Sequence, residues 1–137
     1  MEYKYIGCFI DYDALHKALA HLPQARLAKV IEHPHITFAY RPERVDTALF
    51  GEALSISVTG YGNDGTNEGL LVEVHTENVL LQAMVNDIAV PHITVSISEA
   101  GEAVNTAKLA FSPIAPFELH GYFGGYRFDG TVDKKEK

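Results

Sequence analysis

The chain has 137 residues, 47% of them hydrophobic and 21% charged, which fits one globular domain with a real core and excludes a multidomain or disordered architecture. Lys and Arg number 11 against 18 Asp and Glu, and the net charge of −7 repels long polyanions, so a compact phosphate ligand is a better expected partner than long duplex nucleic acid. No apolar run approaches the roughly 18 residues of a spanning helix, Met1–Tyr5 lacks the basic start of a secretory signal, and Cys8 is the only cysteine; a cytoplasmic setting (a host's, if the chain is viral) with no membrane partner is expected.

Tyr3 to Ile10 reads as a strand with Ile6, Cys8 and Ile10 on one face and Tyr3, Tyr5, Gly7 and Phe9 on the other. Asp11 then opens an Ala- and Leu-rich helix to about His21. His35 to Tyr40 is a second strand, Arg41 to Asp46 a polar loop, and Leu54 to Thr59 a third strand closing on the turn-rich Gly60–Gly65, the expected internal boundary. Gly69 to His75 reads as a strand, Thr76 as the cap of a helix from about Glu77 to Asp87, and His92 to Ser98 as another strand. After a polar, moderately helical piece, Phe117 to Phe128 carries the last strand signals, interrupted by Gly121, Gly124 and Gly125. Its alternation sets Glu118, His120 and Tyr122 opposite Phe117 and Leu119. A tail spans 131–137, and its end, Asp133–Lys137, is expected to be solvated and frayed.

Both halves share the order strand, helix, strand, strand, and Pro34-His35-Ile36-Thr37 recurs as Pro91-His92-Ile93-Thr94. An internal duplication is the simplest account: pseudo-repeats at about 1–65 and 66–130 in one domain spanning 1–137. The expected fold class is α+β, a bilobal domain in which two antiparallel sheets face a central cleft with helices outside.

Alternation puts His35 and Thr37 on one face of their strand and Ile36 and Phe38 on the other, and His92 and Thr94 likewise oppose Ile93 and Val95. Two imidazoles suit paired proton transfer near neutral pH, and two threonine hydroxyls suit hydrogen bonds to phosphate oxygens. A single His-x-Thr would be no more than a hydrogen-bonded strand histidine; the doubling in equivalent strands is what points to chemistry. The doubled motif resembles the 2H phosphoesterase superfamily, which includes bacterial RNA 2′-5′ ligases, cyclic nucleotide phosphodiesterases and phage enzymes that destroy cyclic oligonucleotide signals. The resemblance implies metal-independent catalysis without a cofactor, with His35 and His92 catalytic and Thr37 and Thr94 holding phosphate. The substrate it implies is a small cyclic or 2′-5′ linked nucleotide or short oligonucleotide. The alternatives are an RNA end-processing or 2′-5′ ligase-like enzyme and a non-catalytic nucleotide-binding module of the same fold.

Around the motifs, Tyr3 and Tyr5 are candidates to stack a base, and Glu118 is a candidate base contact by analogy with related phage enzymes. Ser96 is a further cleft candidate. No Asp, Glu or Cys falls at ligand spacing from His33 and His35, so no metal site is expected. Cys8 reads as core, the glycines of 121–125 form no phosphate loop, and a Gly-x-Ser-x-Gly elbow is missing. A monomer is expected.

Overall fold

The computed structural model describes residues 2–22 and 24–134. The order is β1 (Tyr3–Ile10), α1 (Tyr12–Leu19), β2 (Lys29–Val30), β3 (His35–Tyr40), β4 (Ala53–Asn63), β5 (Asn67–His75), α2 (Val79–Asn86), β6 (His92–Ile97), β7 (Ser112–Arg127) and β8 (Val132–Asp133), with 3₁₀ turns at Thr47–Leu49 and Ala103–Lys108. Both helices start at a side-chain cap: Asp11 accepts the Ala14 N–H and Asn78 the Leu81 N–H, satisfying donors that a helix leaves free at its N-terminus. The mixed α/β composition with an antiparallel sheet agrees with the expected class. No helix among the described residues is long and apolar enough to cross a membrane.

The strands form one hydrogen-bonded sheet, β2-β6-β5-β4-β7-β1-β3 with β8 on β7, where two separate sheets were expected. The reason is the length of β7, whose 16 residues ladder with β4 from Ser112 to Tyr122 and with β1 from Gly121 to Arg127. The sheet curls until β3 and β6 lie beside one another. Register then sorts the side chains. One face carries Ile6, Cys8, Ile36, Leu54, Ile56, Val58, Leu70, Val72, Ile93, Val95, Leu119 and Phe123, which make the core with Leu15 and Leu19 of α1 and Leu81 and Val85 of α2. The other face is polar and carries both His-x-Thr motifs.

Apart from the short β2 and β8, the sheet order reads the same from its two edges when β1, β3 and β4 are exchanged for β5, β6 and β7, and the details follow the same exchange. Gly7 pairs with Thr37 and Gly69 with Thr94, and in each case the ladder then skips one residue, Phe38 or Val95. Such a bulge bends the strand just after the motif. Both glycines are required by close approach: a Cβ on Gly7 would lie 2.0 Å from the Ile36 carbonyl oxygen, and one on Gly69 2.9 Å from that of Ile93. The carbonyls of Pro34 and Pro91 accept from Ile10 and Val72, again equivalent positions.

Three local expectations are corrected. Residues 60–63 continue β4 instead of turning; their glycines lie under Leu109 and Phe111, where a Cβ would be tightly packed. Asn78, not Thr76, caps α2, and the Thr76 hydroxyl instead accepts the Asn78 N–H. Part of the tail is ordered, because β8 pairs with β7 and Asp133 binds both Arg127 and Tyr3; residues 135–137 of the expected frayed end lie outside the described residues.

Candidate active site

The polar face is built from register. Phe9 lies opposite His35, Gly7 opposite Thr37, Leu71 opposite His92 and Gly69 opposite Thr94, so both motifs point to the same side of the curled sheet from its two approaching strands. Each imidazole is held in the same way. His35 Nδ1 lies 2.8 Å from the His33 carbonyl oxygen and His92 Nδ1 lies 2.7 Å from that of Val90, two residues upstream in each motif. A carbonyl only accepts, so Nδ1 carries the proton and Nε2 is the atom left for exchange with a substrate. The prolines between donor and acceptor, Pro34 and Pro91, favour the extended backbone that places those carbonyls beside the rings.

Beyond this shared geometry the two histidines differ. His35 is stacked on Tyr5, with centroids 4.3 Å apart and planes 23° off parallel, and Phe9 stands 5.7 Å away. Tyr126 lies flat on Tyr5 at 4.8 Å and 6°. Burial among these rings pushes the His35 pKa down to about 4, against the favourable pull of the His33 carbonyl; the His92 and His33 imidazoles add smaller repulsions. His92 stands on β6, the strand that lies beside β3. Burial also pushes the Tyr5 phenol upward, so it stays protonated.

The threonines differ as well. Thr37 is half-buried beside Gly7, and its hydroxyl has no hydrogen-bond partner among the described residues. Thr94 is buried under the 3₁₀ turn Ala103–Lys108 and donates to Thr106 Oγ1 at 2.8 Å, which also accepts from Asn67. To donate to a phosphate oxygen, Thr94 must turn away from Thr106.

The remaining candidates are placed as follows. Tyr3 lies in the core, edge-on to Phe50 with its hydroxyl donated to Asp133, because the ladder skips Lys4 between Tyr3 and Tyr5 and so turns Tyr3 to the apolar side. Tyr5 faces the site, but His35 and Tyr126 occupy its two ring faces, which leaves it no face on which to stack a base. Glu118 is on the polar face in the middle of the sheet, opposite Ser57, whose hydroxyl it accepts at 2.6 Å. His120 lies beside it, opposite Ser55, with Tyr122 exposed next along β7. Ser96 is buried on the apolar side, donating to Glu68, and lines no cleft. Cys8 is buried in the core and its thiol is pushed up to about 12 by desolvation.

Tyr126 and the Gly7–Gly69 pair are the site features that sequence reading missed. Aligning the halves on Pro-His-Ile-Thr and asking which residues precede each motif across the ladder would have paired the glycines; nothing in the glycine-rich end of β7 marks Tyr126 as a partner of Tyr5. Among the described residues, no three His, Cys, Asp or Glu side chains are grouped as a metal ion would require. No protein-family model matches the chain, and no curated protein matches it in sequence.

Proposed function

We propose that this chain is a phosphodiesterase of the two-histidine type, acting without a metal on a small cyclic or 2′-5′ linked nucleotide. The observation that carries the reading is the repeated fixation of the imidazoles: each motif donates Nδ1–H to the carbonyl two residues upstream and presents Nε2 on the same polar face. Two such nitrogens on approaching strands match a reaction in which one proton is removed from the attacking oxygen and one delivered to the leaving oxygen. Thr37, with a free hydroxyl, is the better placed phosphate contact; Thr94 joins it once released from Thr106.

The same reading covers the chain's organisation: two copies of a strand–helix–strand–strand unit, 1–65 and 66–130, that exchange their last strands within one sheet, β4 lying beside β5 and β7 beside β1. The matching bulges after each motif and the matching glycines and proline carbonyls support a duplication. The 2′-5′ ligase-like alternative shares the same groups. Net charge −7 favours a short substrate over long RNA. The tie between Thr94 and Thr106 favours the non-catalytic module, since it withholds one phosphate donor.

Chromatographic product analysis in EDTA decides among these. The panel comprises 2′,3′-cyclic mononucleotides, 2′-5′ oligoadenylates and cyclic di- and trinucleotides, run with wild type, His35→Ala and His92→Ala. Turnover by the wild type and its loss by ~10²-fold or more in each variant is expected. Binding without turnover in all three proteins would instead identify a binding module.

A further inference from the structure

We propose that the aromatic stack on one side of the polar face makes the two motif histidines unequal, His35 serving as proton acceptor and His92 as proton donor, with Tyr5 the positioning residue that enforces the difference. The inference rests on the phosphodiesterase reading but uses a separate observation, the asymmetry between otherwise equivalent strands. At His35 the cross-strand partner is Phe9, and Tyr5 lies flat on the imidazole, backed by Tyr126. At His92 the cross-strand partner is Leu71, and among the described residues no aromatic ring is stacked on the imidazole.

The groups facing His35 are the Tyr5 phenol and Phe9 from β1, Tyr126 behind Tyr5 from β7, His33 from the bend just before β3, and His92 from β6. None is a carboxylate, so no neighbour favours the cation by charge, and the rings cover part of the imidazole, leaving less of it open to the water that would solvate the cation. A histidine kept neutral has a lone pair at Nε2 and no proton to give. In the forward step the attacking oxygen loses its proton to His35 Nε2 as it bonds to phosphorus, while the bond from phosphorus to the leaving oxygen breaks and that oxygen takes the proton from His92 Nε2. Exchange with solvent restores both histidines. Tyr5 touches neither reacting atom; its hydroxyl is 3.4 Å from His35 Nδ1, and its effect passes through the imidazole.

Two measurements test this. In NMR titration of the full chain, the ring signals of His35, identified by their loss in His35→Gln, should keep neutral-form shifts down to about pH 5. Tyr5→Leu should bring the midpoint up towards ~6.5, Tyr126→Leu should move it the same way by less, and Tyr5→Phe, which keeps the stack, should leave it low. A wild-type His35 that protonates at or above ~6.5 would show that cation–π attraction to Tyr5 outweighs burial, and would overturn the proposal.

The second measurement uses two esters with the same nucleophile, adenylyl-(2′-5′)-adenosine and adenosine 2′-(p-nitrophenyl phosphate). p-Nitrophenolate leaves without a proton, so His92→Ala should lose ~10²-fold or more on the first ester and less than about tenfold on the second, whereas His35→Ala should lose heavily on both. The reverse pattern overturns the roles alone. Absence of wild-type turnover on both esters overturns the proposed function, and the roles with it, whatever the titration shows.

Discussion

At the scale of the residue, the cost of holding His35 neutral should be visible in folding as well as in chemistry. Its folded pKa of about 4 lies below the ~6.5 of an unfolded histidine. Between those values the unfolded chain binds a proton that the folded chain refuses, so acidification draws the protein towards unfolding and stability rises with pH across that window. The ceiling is about 1.4 kcal/mol per pH unit for one such group. His16, lowered by burial and by Arg26, contributes in the same direction. Urea denaturation of wild type and His35→Gln at pH 7 and at pH 5 should therefore show a smaller loss on acidification in the variant. Equal losses in the two proteins would show that His35 takes up its proton in the folded state as readily as in the unfolded one. His35→Gln at pH 7 removes a stacked ring as well, which is why the difference between two pH values is the measured quantity.

Bulges set the geometry at the scale of the element. Each motif strand brings a histidine and a threonine to the polar face by simple alternation, and the residue skipped in the ladder then sets two successive residues, Phe38 and Ala39 or Val95 and Ser96, on the core side. Gly7→Ala places a methyl 2.0 Å from the Ile36 carbonyl oxygen, so the backbone between His35 and Thr37 must shift to admit it. A loss of about 1–3 kcal/mol in urea denaturation is expected, as for other overpacked sites, with a fall in any turnover that needs His35. Gly65→Asn is the comparison: at a left-handed position (φ +85) with nothing near its Cβ it adds backbone strain without collision, and it should cost about 1 kcal/mol or less. Comparable stability of the two variants would show that β3 yields at the bulge. These elements also mark what was legible in the sequence. Both motif strands were readable because β-branched residues alternate with polar ones after a proline, and those strands carry the four motif residues. The bulges were not, since an extra residue such as Lys4, Phe38 or Val95 looks like any member of an alternating run. One unseen skip is enough to move Tyr3 from the polar face to the core. Gly60 and Gly62 were misread because glycine marks both turns and close packing, and only the position of Leu109 and Phe111 separates the two.

For the whole molecule, the curl of the sheet is fastened by a segment that belongs to the first half and binds the second. After α1 the chain crosses to β6, where Leu27 N–H donates to Ser96 Oγ, Ile31 N–H to the Val95 carbonyl, and β2 pairs with Ser96 and Ile97. Beneath it Glu68 of β5 is fully buried on the apolar side, accepting from the Tyr61 and Ser96 hydroxyls and paired with Arg26 at 2.8 Å. The pair anchors the crossing segment two residues from Thr94, so its strength bears on how firmly β6 is held against β3. Arg26→Met would leave a buried carboxylate with two hydroxyl donors and no cation, and should cost about 3 kcal/mol, the low end for a broken buried pair because the guanidinium keeps 20% of its exposure. Glu68→Gln removes the charge that needs Arg26 while keeping an acceptor for one hydroxyl and an amide donor towards the other, so the double variant should be more stable than the sum of the single losses predicts, by about 0.5–3 kcal/mol. A double-mutant cycle in urea measures that coupling directly. Additive losses would mean that Arg26 is held by the chain around it and that backbone pairing of residues 27–31 with β6 is enough to keep the sheet curled.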